Sequence, residues 1–508
     1  MSALRQHDRT VLARRRGTVR VGAAVVVLGL LAGVGEVTRR DALPAARPGS
    51  AAVVGAAVVC PDVEGAEVVA GSTGEGGAVL RVAAVPPATP PPPTLPPPTP
   101  SPPTTPPPTP LSYDVMPVQD AGRAALVGRG DGAVVVQAAG AVAAGLAVEQ
   151  RSRDLQGPVR GTSALRCGPT GTSAWFVGGA TSVGDSAQLV LVNTDDAPAL
   201  VDVQGWSATG PLERRAGRGI AVPPRGRTVV ELDTVAPDRD LLALHVQGTR
   251  GRVAVALRHA RADGRTAGGV DWVPVAGPPG IEVLVAGLAR GPGSRTLVVT
   301  NPGPDATTVD LHLLTGDGAV DLDPLDVPAG TSVSRSLTRD LASTPATVRV
   351  RSQGGAVLAG AEMLDLQKGP VRELSWAGAA TVLTGPALLA DVALSPPAEV
   401  TLLLTATVTD AVAVLTPLPV TGQPPPPVGR RVEVPALTTV PVRLSTLLPP
   451  GSTARLAVQL RTTGGPVVAA RVLRERAVAG PLTAVLPVVS GPGRVRVPVV
   501  RPDQLAGR

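Results

Sequence analysis

Aromatic side chains are nearly missing from this 508-residue chain, which holds four Trp, one Phe and one Tyr. A core must therefore be filled by Ala, Val and Leu, and each tryptophan, able to bury roughly 150–250 Å², weighs heavily in the packing. Cysteine is limited to Cys60 and Cys167, too few for a Cys-rich zinc module. The four histidines, His7, His245, His259 and His312, are scattered, with no HExxH and no paired ligand spacing. No GxSxG elbow, Walker loop or dinucleotide fingerprint follows a predicted strand. Asp195-Asp196 and Asp321-Leu322-Asp323 have too few ligands for a dedicated calcium loop and read as solvated turns. No cofactor, metal site or catalytic residue is expected from motifs; a triad assembled from distant positions is left open.

Charged residues make up 17% and hydrophobic residues 44%, with positive mean hydropathy, so a wholly disordered chain is excluded. The net charge of +7 sits at the ends. Residues 1–50 hold nine arginines against Asp8, Glu36 and Asp41, and residues 471–508 hold seven against Glu475 and Asp503, which leaves the middle acidic. A folded basic face that could displace counterions from phosphate is not encoded there, which argues against a nucleic-acid partner.

Arg14, Arg15, Arg16 and Arg20 precede fifteen uncharged residues, Val21 to Gly35. A basic flank before an apolar run predicts a cytoplasmic N-terminus, 1–20, and a signal or membrane-anchor helix over 21–38, with the rest exported. The run covers about 22 Å as helix, shorter than the hydrocarbon core. Proline in Ala42-Leu43-Pro44 spoils a small-x-small cleavage site. An uncleaved single-pass anchor is therefore favoured over a secreted product. In an oxidising compartment Cys60 and Cys167 are expected to pair.

Residues 86–110 contain sixteen prolines, with Thr89, Thr94, Thr99, Thr104 and Thr109 at every fifth position. Proline supplies no N–H and fixes φ, so this stretch is expected to form polyproline II and to be a surface insertion in a first folded unit, 51–165.

Beyond residue 165 one order of features occurs three times. A β-rich run with a polar end opens each unit: Leu189-Val190-Leu191-Val192-Asn193, Leu297-Val298-Val299-Thr300-Asn301 and Leu402-Leu403-Leu404-Thr405. A Val-Pro turn follows at Val222-Pro223, Val327-Pro328 and Val434-Pro435, then a glycine turn near Gly251, Gly355 and Gly465. The period is about 105 residues, and short runs separated by Gly, Pro, Asp and Asn predict β-sandwiches. The segments flanking each glycine turn, such as Val348–Arg351 and Ala356–Ala359, are expected to pair as a hairpin, with a partial echo at Val134–Gln137 and Ala141–Ala144. The expected fold is all-β: tandem Ig-like β-sandwich modules over 51–165, 166–283, 284–387 and 388–490, after the N-terminal helix and before a basic tail, 491–508.

Two short motifs are set aside. Leu418-Pro419-Val420-Thr421-Gly422 fits the sortase pattern but is followed by prolines instead of an apolar span, and Arg129-Gly130-Asp131 is explained by its flanking glycines as a turn. Trp175, Trp272 and Trp376 recur at nearly the module period, whereas Trp206 stands apart. They are expected to plug seams between modules, with stacking on a sugar ring as the alternative.

Cys60, Cys167-Gly168-Pro169, Trp175-Phe176-Val177-Gly178-Gly179 and Asp271-Trp272-Val273-Pro274 stand in an order that resembles an actinobacterial family, domain of unknown function 5719. That resemblance spans most of the chain and carries no catalytic residues. It implies an exported or membrane-anchored protein working near a membrane glycosyltransferase on envelope glycopolymers. The expected role is a non-catalytic cell-envelope scaffold or accessory protein, attached to the membrane by its N-terminal helix. Its candidate partners are an envelope protein such as that glycosyltransferase, or a glycan. The alternatives are a glycan-binding surface module and, third, an extracytoplasmic hydrolase.

Overall fold

A computed structural model of the protein describes residues 49–497, apart from 63–64, 74–77, 86–113, 119–124, 129–131, 214, 216, 342–343, 394–397, 420–428, 449–454 and 492. The basic N-terminus, the signal or anchor helix over 21–38, the proline-rich insertion 86–110, the Arg-Gly-Asp triplet and most of the tail 491–508 lie outside the described residues. Among the described residues no helix is long and apolar enough to cross a membrane; the helical elements are the 3-10 turns Gly140–Ala143, Leu232–Thr234 and Leu444–Leu447. Residues 52–494 form one compact unit, and the described residues 49–51 and 495–497 belong to a second. Gly49–Ala52 pairs with Arg494–Val497 in a two-stranded sheet.

The larger unit is all-β and consists of four successive sandwiches, at 55–166, 173–276, 282–377 and 387–488. The third shows the plan. Its strands, numbered one to eight, are Glu282–Leu288, Gly293–Thr300, Thr307–Thr315, Gly318–Val327, Ser332–Ser336, Ala346–Ser352, Leu358–Leu366 and Arg372–Ala377. One antiparallel sheet has the order one, six, three, four, and the other the order five, two, seven, eight. The first and fourth modules repeat this order. In the second, Gly210–Pro211 and Ile220–Val222 together occupy the place of strand four, and Val275–Ala276 is added beside strand one.

The sandwich architecture agrees with the expectation. The second strand pairs with the fifth and the seventh and the third with the fourth and the sixth, so strands six and seven lie in different sheets. The expected glycine hairpin is corrected for that reason. Ala346–Ser352 pairs with strands one and three, whereas Leu358–Leu366 pairs with strands two and eight of the other sheet. The glycine turn carries the chain across the sandwich. In the first module the Ala141–Ala144 segment is largely a 3-10 turn, and strand seven is Leu146–Asp154.

The Val-Pro landmarks occupy one place in the fold, since Val222, Val327 and Val434 all end strand four. Asn193 and Asn301 are buried at the end of strand two and fix this turn in the same way. Asn193 Nδ2 donates to the carbonyls of Ala197 (2.8 Å) and Val222 (3.3 Å). Asn301 Nδ2 donates to those of Asp305 (2.7 Å) and Val327 (3.3 Å). A buried amide left unpaired would cost stability, so the asparagine is retained where it ties two loops together.

Alternation and continuity of apolar residues report how many faces of a strand are covered. Thr307–Thr315 alternates, with Val309, Leu311 and Leu313 inward and Asp310 and His312 outward. The second half of strand two carries a continuous apolar run, because both its faces are buried there. In the second module Leu189 and Leu191 enter that module's own core, while Val190 and Val192 pack on Val59, Val85, Val135 and Leu165 of the first. Val298 and Leu358 of the third module pack on Val177 and Ala243 of the second. Leu403, Val468 and Ala470 of the fourth join the core cluster of the third. Leu388, Ala390 and Ala457 of the fourth pack on Val69 and Ala147 of the first. That last contact closes the four modules into a ring, in which the one-six-three face of each covers the two-seven face of the next. The eighth strands of the four modules, Gly161–Arg166, Thr266–Val273, Arg372–Ala377 and Gly480–Val488, lie against one another at the centre.

Candidate functional site at the module seams

Trp272 and Trp376 sit at equivalent positions of strand eight, opposite Arg258 and Glu362 of strand seven. Both are buried. Trp272 packs in the seam between modules one and two, and Trp376 enters the core of module two beside Phe176 and Leu257. Gly178 makes room for it: a Cβ there would lie 2.6 Å from the Trp376 ring, and the glycine has φ 137°. Val485 takes the same place in module four, against Gly287 with φ 97°. Trp175 does not belong to this series. It lies on strand one, half-exposed, and stacks face to face on His245 at 3.8 Å and on Trp206 at 5.6 Å. Trp206, which the spacing had left isolated, is thus half of an aromatic pair; their approach depends on register across strands one, six and three, which spacing does not encode.

Cys60 and Cys167 form a disulfide that links strand one of module one to the segment entering module two. Val59 and Gly168 exchange backbone hydrogen bonds beside it (2.8 and 3.3 Å).

Between the tryptophans the seams are charged. At the seam of modules two and three, His259 Nε2 meets Asp185 Oδ1 at 2.9 Å and His259 Nδ1 accepts from Trp376 Nε1 at 3.2 Å. Arg261 donates to Asp185 (2.7 Å) and to Glu362 (3.0 Å). Burial would raise the Asp185 carboxyl, but the hydrogen bonds from His259 and Arg261 outweigh it and hold the group below its ordinary value. Both ring nitrogens of His259 are engaged and the ring is fully buried, so this histidine–aspartate pair orients Trp376 and has no free nitrogen to offer a substrate. At the seam of modules three and four, Arg295 Nη2 donates to Asp365 (2.5 Å), which also accepts from Thr483 Oγ1 (3.2 Å). At the seam of modules four and one, Arg471 donates to Glu149 (2.8 Å), and Arg455 bridges Asp391 (2.8 Å) and Glu67 (3.0 Å). Burial raises the Asp391 carboxyl, but Arg151, Arg455 and Arg471 more than reverse this.

At the ring centre, Glu373 on strand eight of module three accepts from the backbone N–H of Thr162 (3.1 Å) in module one and of Thr483 (3.2 Å) in module four. Its second oxygen has no hydrogen-bond partner among the described residues and lies 3.8 Å from Arg160 Nη1. Burial pushes this carboxyl up to about 8, against the pull of those two N–H groups and Arg160. Asp271 accepts from Trp376 N (2.9 Å), and burial holds its carboxyl well above the ordinary range. Sequence reasoning missed all of these pairings, because the partners lie far apart in the chain, some within one module, as Asp185 and His259 do, and others in different modules, as Arg471 and Glu149 do. Among the described residues no three His, Cys, Asp or Glu side chains converge as metal ligands.

The arrangement fixes modules to one another. A family model described as a family of unknown function, DUF5719, matches residues 122–426. No curated protein matches the chain.

Proposed function

Since the chain belongs to the DUF5719 family, whose description assigns no activity, we propose from its own residues that it is a non-catalytic scaffold of the cell envelope. In this reading the N-terminal apolar segment attaches it to the membrane and the ring stands outside. The observation that carries the reading is the fate of the interior carboxyls: Glu149, Asp365, Glu373 and Asp391 are each bonded or ion-paired across a module seam or the ring centre, Asp185 is linked across one through His259 and Arg261, and together they hold the ring rigid. A rigid ring presents loops and outer strand edges in fixed relation, which suits an accessory to a membrane glycosyltransferase or another envelope protein. The disulfide supports export, since such bonds persist in oxidising compartments. Capture of the tagged full chain from envelope membranes is expected to recover a membrane partner; recovery of the chain from cytosol, or alone from membranes, would overturn the proposal.

The surface stack favours glycan binding as a second reading. Gln204, His245 and Trp175 form one row across the sheet, with Ser173 Oγ 2.9 Å from His245 Nε2. Burial pulls His245 below its ordinary pKa, so a neutral imidazole lies beside the indole. A half-exposed indole flanked by polar side chains is a platform for a sugar ring. Under this reading Trp175→Ala abolishes retention on cell-wall polysaccharide while leaving the thermal midpoint within a few degrees; unchanged retention would remove it.

A further inference from the structure

Where modules three and four meet at the ring's outer side, a cavity of about 540 Å³ is lined by Arg290, Arg430, Arg443 and Arg474, with Glu399 as its acidic member. The arginines come from different elements: Arg290 follows strand one of module three, while Arg430, Arg443 and Arg474 lie on strands four, five and seven of module four. Their local partners leave a surplus of positive charge. Arg443 pairs with Glu399 at 3.1 Å, and among the described residues Arg430 reaches only the Thr446 hydroxyl at 2.6 Å. Arg474 donates to the Arg290 carbonyl and is 3.9 Å from Asp365, a carboxylate already held by Arg295. The Arg474 Nε is buried without a hydrogen-bond partner among the described residues. Arg290 makes no ion pair among the described residues. Burial, with Arg295 and Arg290 adding to it against Asp365, pulls the Arg474 guanidinium below its ordinary value. A cation in that position is stabilised by an anion entering from the cavity.

We propose that this cavity is an anion site that takes a phosphate or diphosphate group. Planar guanidinium forks converging from separate strands match tetrahedral oxyanions, which accept paired N–H bonds on several edges; a single carboxylate would satisfy only one fork. The volume admits a diphosphate with part of an attached sugar or glycerol. The inference rests on the cavity and goes beyond the scaffold reading, since binding of a phosphate in solution does not depend on where the protein resides.

The test is calorimetric titration of the full chain with sodium pyrophosphate at physiological chloride. Saturable binding near one equivalent is expected, weakened at least about tenfold by Arg290→Gln with Arg443→Gln, both exposed and so tolerable to the fold. Arg351→Gln, an exposed arginine outside the cavity, is expected to leave binding unchanged. Two further probes separate the sources of phosphate: phosphatidylglycerol vesicles by co-sedimentation and glycerol-phosphate oligomers by titration. Loss of either interaction in the double variant supports the site and identifies its source. No saturable pyrophosphate binding, equal weakening by Arg351→Gln, or full retention of vesicle and oligomer binding by the double variant would overturn it.

Discussion

Replacing Glu373 with Gln is the sharpest test of how the ring centre is held. In the folded protein this carboxyl keeps its proton up to about pH 8, whereas in the unfolded chain it ionises near 4.5. Between those values the native state binds more protons than the unfolded one, so its stability falls as pH rises. The contribution is fully present below pH 4.5 and lost by about pH 8. A separation of that size is worth up to about 5 kcal/mol across the window. Glutamine retains an oxygen for the N–H groups of Thr162 and Thr483 but never ionises. Its amide also points a donor toward Arg160, so a loss of about 1 kcal/mol is expected at pH 5. The expected result is a crossover, with Glu373→Gln slightly less stable than the parent at pH 5 and more stable at pH 8. Urea unfolding of the full chain, followed by tryptophan fluorescence from pH 5 to 9, measures it. Asp271 is shifted in the same direction, so the variant keeps a residual slope. If the parent's stability does not fall between pH 5 and 8, or the variant falls as steeply, the carboxyl is not buried as a neutral acid and the argument fails.

Trp376→Ala removes the plug against Gly178 and strips His259 Nδ1 of its donor; a loss of about 3–5 kcal/mol in urea unfolding is expected, and a loss below about 1 kcal/mol would contradict the packing. Trp272→Ala at the equivalent position is expected to lower the thermal midpoint as well. Cys60→Ala with Cys167→Ala opens a loop of 107 residues, and the chain-entropy model expects a loss of up to about 4.7 kcal/mol; the same denaturation midpoint with and without reductant would refute a structural role.

The sequence makes the strands and their repetition legible, but not how the repeats meet. Val-Pro turns and polar strand ends are local features, and both recur at equivalent places because turn geometry is encoded within a few residues. The glycine turns misled because an identical pair of short β segments can flank a hairpin or a crossing between sheets, and only the distant partners decide. Continuous runs such as Leu189-Val190-Leu191-Val192 did hold evidence of stacking: a strand with one face in water would alternate. The charged seams were illegible for a different reason. Arg471 and Glu149 are 322 positions apart, and nothing near either one names the other. Trp272 and Trp376 were found because a scarce residue at a repeated position is visible against an Ala/Val background, and Trp206 was not because its partner comes from cross-strand register.

Ring closure also accounts for the distribution of polar groups. Every seam uses the same pair of faces, a head-to-tail contact of the kind that grows without limit unless its rotation closes. Four modules on one chain make it close, provided the last seam, between modules four and one, forms as reliably as the others. The first three seams join modules consecutive in the chain; the fourth joins segments separated by the whole ring and has no short connection to favour it. It is there that the ionic contacts are densest, with Arg471 on Glu149, Arg455 on Asp391 and Glu67, Arg151 on Asp391 and Arg153 on Glu475. Apolar contact alone, here Val69 and Ala147 against Leu388, Ala390 and Ala457, would accept the matching face of another molecule equally well. Buried charges that must find their own partners penalise an imperfect fit by leaving a charge unpaired, and so select the closed ring over an open chain of modules.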